Sequence, residues 1–131
     1  MKTLQKVGWL HIEEKRVLMV RSRGRSFFYF PGGKPEAGET DLQTLARELR
    51  EELGIVFMPE SAIPCGKHSA PADGQDEPTT VVCTLYAGDY IGVMSPRGEI
   101  EEIAWISWDQ VETLTPLGKR VFTMLREMGK I

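Results

Sequence analysis

The chain has 131 residues, 41% of them hydrophobic, and a net charge of −3. That length supports one sizeable core and leaves little room for a second, so a single domain over residues 1–131 is expected. No basic stripe is evident and no run approaches the ~18 apolar residues of a membrane span, which argues against nucleic-acid-coating and membrane-spanning roles.

In chain order, Met1–Lys6 lacks the apolar stretch of a secretion signal. Residues 6–12 and 16–21 read as strands joined by a polar turn around Glu13-Glu14. A basic loop, 22–26, leads to the aromatic run 27–30, which Pro31-Gly32-Gly33 stops. Thr40 with Gln43 three residues later is a capping-box signature, and Asp41 suits the positive end of a helix dipole. Leu42, Leu45, Ala46, Leu49 and Leu53 recur at helical spacing, and Gly54 supplies a left-handed stop with Ile55 placed for the accompanying apolar contact.

Further on, 55–67 reads as a strand or irregular segment and 68–78 as a polar loop. Residues 79–89 read as a central strand, 91–98 as a loop and 103–107 as another strand. Thr115-Pro116 reads as N-cap and first residue of a final helix with Leu117, Val121, Phe122, Leu125 and Met128 as its buried stripe. Strands interrupted by two helices predict an α/β fold, a mixed sheet packed between helices. Cys65 and Cys83 have no metal-ligand spacing, so reduced thiols in a cytoplasmic protein are expected.

The densest chemistry lies between Glu36 and Glu52, where six acids meet two bases, a local balance of −4. Glu48, Glu51 and Glu52 stand at i, i+3 and i+4, neighbours on one helix face flanking the apolar stripe. Clustered carboxylates repel one another and ask for a cation; the plainer alternative is a solvated acidic face.

The run Gly33-x5-Glu39-x7-Arg47-Glu48-Leu49-x-Glu51-Glu52-x-Gly54-Ile55 fills all nine specified positions of the Nudix box. This resembles the Nudix hydrolase family (MutT-like), and Phe30-Pro31-Gly32-Gly33-Lys34 before the box is also similar to its members. The resemblance implies an α/β/α sandwich and a Mg²⁺-dependent hydrolase, with Mn²⁺ a substitute, that cuts the pyrophosphate of a nucleoside di- or triphosphate linked to another group. Such an enzyme would be similar to the small ones that clear damaged or surplus nucleotides.

By the same resemblance Glu48, Glu51 and Glu52 are metal ligands, with the carbonyl of Gly32 or Gly33 as a further donor. Arg47 either orients those carboxylates or makes a plain i,i+4 pair with Glu51. Glu39 organises the loop or a metal-bound water rather than binding metal directly. Glu99, six residues before Trp105, is the candidate general base, with Glu101 and Glu102 as fallbacks. Arg21, Arg23, Arg25 and Lys34 flank the box loop and are candidates for phosphate oxygens. Trp9, Phe28 and Tyr29 either stack a base or belong to the core. His68 reads as a surface residue, Trp105 and Trp108 as core or cleft wall. A homodimer is compatible with the family, an isomerase role is less supported, and a nucleotide-binding sensor without turnover is the alternative to the hydrolase.

Overall fold

The computed structural model describes residues 2–72 and 74–131. Its strands are β1 (Lys2–Trp9), β2 (Ile12–Glu13), β3 (Arg16–Ser22), β4 (Gly32–Gly33), β5 (Val56–Phe57), β6 (Ile63–Pro71), β7 (Thr79–Ala87), β8 (Tyr90–Ile91) and β9 (Ile100–Ile106). Two α-helices, α1 (Asp41–Leu53) and α2 (Pro116–Glu127), and 3-10 turns at Pro59–Ser61 and Trp108–Thr113 complete it.

The largest sheet has the order β4-β1-β7-β6, with β1 and β7 parallel and the outer pairings antiparallel. β2, β3 and β9 form a second, antiparallel sheet, and β5 pairs with β8. Strand alternation sends successive side chains to opposite faces, and β3 shows the consequence. Leu18 and Val20 pack with Val7, Trp9 and the α1 residues Leu45, Leu49 and Leu53. Val17 and Met19 pack instead with Val81, Leu85 and the α2 residues Val121, Phe122 and Leu125. The result is the α/β/α layering expected above, with one helix on each face of mixed strands.

α1 starts and stops where its local chemistry dictates. Thr40 accepts from the Gln43 N–H, Gln43 accepts from the Thr40 N–H, and Gly54 closes the helix at φ 70°. The Gly54 N–H donates to the Arg50 carbonyl at 3.0 Å.

Several boundaries differ from the sequence reading. The first strand begins at Lys2, and the hairpin turns at Glu14-Lys15, both at positive φ. β6 runs through the first half of the expected loop 68–78. It is an edge strand paired only with β7, so its prolines and polar residues cost no interior ladder. β9 begins at Ile100, not 103. Met128 leaves the α2 stripe, 59% exposed, because the helix ends at Glu127 and the chain turns back to bury Ile131 in its place.

Candidate active site

α1 and the loop before it face each other across a few ångströms, and glycine makes that approach possible. A methyl built on Gly33 would overlap the carboxylate of Glu48, and one on Gly32 would overlap the Val7 carbonyl. Gly32 also holds φ 142°, where a side chain is strained. Its N–H donates to Glu52 Oε1 at 2.9 Å, fixing that carboxylate against the loop.

Arg47 pins the other side. It makes a two-pronged pair with Glu39, Nε to Oε2 at 2.8 Å and Nη2 to Oε1 at 3.0 Å, and also donates to the Lys34 carbonyl at 3.0 Å. Nη1 reaches Glu51 at 3.2 Å and Glu48 at 3.5 Å. Arg47 thus ties the loop to the helix and touches two of the three box carboxylates, the i,i+4 pair with Glu51 among its contacts. Arg47 holds the Glu39 carboxyl down to about 2, with help from the Glu36 N–H. Glu39 also accepts from the Thr44 hydroxyl.

The three box carboxylates are unequal. Glu52 is 4% exposed, whereas the Glu51 side chain is 57% exposed. Burial pushes the Glu52 carboxyl up to about 8 against the pull of the Gly32 N–H, and the charges of Glu48 and Glu99 push it further. Burial also raises Glu48, partly offset by Arg47. These are acids whose surroundings penalise their own charge, the condition a cation relieves. Among the described residues no three His, Cys, Asp or Glu side chains already form a closed ligand group. The donors nonetheless fit a hard cation: all are oxygens, and few enough to leave positions for water and substrate.

Glu99 joins this group from a distant part of the chain. The segment before it docks on the end of α1, with the Ser95 N–H on the Leu53 carbonyl at 3.0 Å and the Arg97 N–H on that of Glu52 at 2.9 Å. From the other side the Arg23 N–H donates to the Glu99 carbonyl and its guanidinium to that of Gly98. Glu48, Glu51, Glu52 and Glu99 line one cleft of about 230 Å³ together with Arg97 and Gly98. Glu101 and Glu102 are turned elsewhere, paired with Arg21 at 3.2 and 3.1 Å.

A larger cavity of about 570 Å³ opens beside the carboxylates, with Glu48, Glu52 and Glu99 at one end and Arg23, Arg25 and Lys34 among its lining. Arg21 is not in that lining; its guanidinium is engaged by Glu101, Glu102 and the Arg25 carbonyl. Trp9 is 0% exposed, stacked on His11 at 4.4 Å with its indole N–H on the Gly88 carbonyl, so it belongs to the core. Phe28 packs into the α2-side core, and of the three candidate aromatics only Tyr29 reaches the cavity. Sequence reasoning missed Phe27, Phe30 and Lys6, which also line it. For Lys6 the signal was available, since alternate residues of a strand share a face. His68 bonds its own turn at the Cys65 carbonyl, and Trp105 and Trp108 pack on the two core clusters.

The NUDIX domain family matches residues 3–128. The chain belongs to the NUDIX family. Among its relatives, the 8-oxo-dGTP diphosphatase of Haemophilus influenzae is 55% identical over 44 residues, 31% of this chain and 32% of that protein. The isopentenyl-diphosphate Delta-isomerase of Mycolicibacterium vanbaalenii is 29% identical over 120 residues, 84% of this chain and 65% of that protein. The chain thus spans less than two thirds of the length of either relative. The crystal structure of the MutT protein from Methanosarcina mazei superimposes with a TM-score of 0.74 at 22% identity, covering 99% of this NUDIX chain and 97% of that one, a likeness of fold.

Proposed function

We propose that this NUDIX chain is a divalent-metal-dependent pyrophosphohydrolase acting on a nucleoside di- or triphosphate, in a nucleotide-sanitising role. The observation that carries the reading is the convergence of Glu48, Glu52 and Glu99 at one end of a cavity whose lining includes Arg23 and Lys34. Acids for a cation and bases for phosphate meet where a nucleotide's charged and apolar halves would divide.

Glu48, Glu51 and Glu52 would hold Mg²⁺ or Mn²⁺, with a carbonyl of Gly32 or Gly33 as a further oxygen. When bound, the ion supplies charge neutralisation and Lewis acidity toward the pyrophosphate. Arg47 keeps loop and helix in register, so that the carboxylates are positioned before substrate arrives. Arg23 and Lys34 orient phosphate oxygens, and Arg21 braces the basic loop through the Arg25 carbonyl. Glu99 takes the proton of the attacking water. The free thiols Cys65 and Cys83 favour a reducing compartment, the cytoplasm. Among the described residues no helix is long and apolar enough to cross a membrane.

The deciding experiment is a panel of nucleoside triphosphates, nucleotide sugars and dinucleoside polyphosphates assayed with Mg²⁺ and with identification of the products. Cleavage of a pyrophosphate linkage is expected. Tight nucleotide binding without turnover on the whole panel would replace the enzyme with a sensor.

A further inference from the structure

β1 and β7 run parallel in a register that pairs Leu4 with Val81, Lys6 with Cys83 and Gly8 with Leu85. Paired residues share a face, so Leu4, Lys6, Val81 and Cys83 together line the floor of the large cavity. That floor is apolar except at Lys6. Lys6 is half-buried, and its ammonium lies 5.9 Å from the centroid of the Tyr29 ring. Among the described residues it has neither a hydrogen bond nor an ion pair.

Several other polar groups of the wall already have protein partners. The Ser22 hydroxyl is bonded to that of Tyr29, Thr115 accepts from the Gly118 N–H, and Arg23 holds the Gly98 carbonyl. Lys34 is exposed. Burial pushes the Cys83 thiol up to about 12, so it supplies no counter-charge. The Lys6 charge acts on Glu52 without an ion pair, and its three donors, set in an apolar floor, meet no acceptor among the described residues. Its complement in a ligand is an acceptor, best an oxygen.

Position decides which oxygen. Gly8 stands opposite Gly32 and so marks the carboxylate end of the floor. Lys6 lies two residues further from it, roughly 7 Å along the strand, with Leu4 and Val81 beyond. If the phosphates occupy the carboxylate end, Lys6 is level with what they carry, between walls that include Phe27, Phe30 and Leu117. We infer that Lys6 is a specificity-determining residue that donates to an exocyclic carbonyl oxygen of the substrate's base, so that the cavity takes oxo-bearing bases in preference to adenine. Cytosine, uracil, guanine and oxidised purines all present such an oxygen. Adenine has none, and where guanine carries its 6-oxygen adenine turns an amino donor toward the cation. This rests on the reading of the cavity as the nucleoside half of the site.

The test compares wild type with Lys6→Met, which keeps the stem and removes the donors, and with Lys6→Leu should the first fail to fold. Calorimetry measures binding of GMP, CMP and AMP without metal, and kcat/KM is measured on GTP, CTP and ATP with it. Wild type should favour the oxo-bearing members in both series. The substitution should weaken them by roughly ten- to a hundredfold, mainly through KM, as expected for a lost hydrogen bond from a charged donor. The loss on the adenine member should be at least about tenfold smaller. An equal loss on all three would make Lys6 a phosphate contact and overturn the inference, as would no loss on any. Absence of turnover alongside selective monophosphate binding would overturn the hydrolase reading and leave the role of Lys6 standing; absence of both would remove the two together.

Discussion

Glu52 is the residue at which burial and charge conflict most. It is almost wholly buried, it accepts from the Gly32 N–H, and its carboxyl is pushed up to about 8. The sign of the pH effect follows. A carboxyl whose folded pKa lies above its ordinary value contributes stability that is fully present below the ordinary carboxylate range, near 4.5, and is lost as pH rises through about 8. Thermal melts in chelator from about pH 5 to about pH 9 should therefore fall on the alkaline side for wild type, and Glu52→Gln should flatten that fall. An unchanged profile in the variant would place the titrating group elsewhere. Glu39 runs the opposite way: its stability contribution is present above the ordinary range and lost as pH falls toward about 2. For turnover, Glu48→Gln and Glu52→Gln should each cost at least about a hundredfold in rate, since each removes a charge from the proposed cation site. Near-normal rates in steady-state assays would move that site.

At the scale of elements, the junction of β4 with α1 separates two adjacent glycines by what each touches. A side chain at Gly32 meets the Val7 backbone in a strained conformation, so Gly32→Ala should lower the melting temperature strongly. A side chain at Gly33 meets only the carboxylate end of Glu48, which can swing away. Gly33→Ala should then keep most of its thermal stability and lose activity instead. Parallel melts and rate assays on the two variants check this, and equal loss of stability in both would contradict it. α1 itself was legible from sequence because everything defining it is local: Thr40, Gln43, the leucine stripe and Gly54 act within a few residues of one another. β6 was not, because an edge strand with one partner needs neither alternation nor β-branched residues, and its Pro and Gly content resembles a loop. Met128 and Ile131 exchanged roles for a similar reason: helical spacing continues on paper past Glu127, while the folded chain turns back at Gly129.

Across the whole molecule, two helices are held on opposite faces of one set of strands, and carboxylates from α1 and from the segment before β9 meet in one cleft. Chelation should abolish hydrolysis and added Mg²⁺ or Mn²⁺ should restore it, measured as product release; activity indifferent to chelator would reject the metal-dependent reading. The sequence by itself determined which groups the box presents, because nine residue types at set spacings on one loop and helix specify which of them face the same way. It also determined the family and the layering of helices on strands. Only the tertiary structure decided which of Glu99, Glu101 and Glu102 meets the box, since Arg21 claims the last two and backbone bonds to α1 carry the first into the cleft. It likewise removed Trp9 to the core and set Lys6 on the cavity floor. Those placements depend on pairings between residues roughly forty to eighty positions apart, and local spacing carries no record of such pairings.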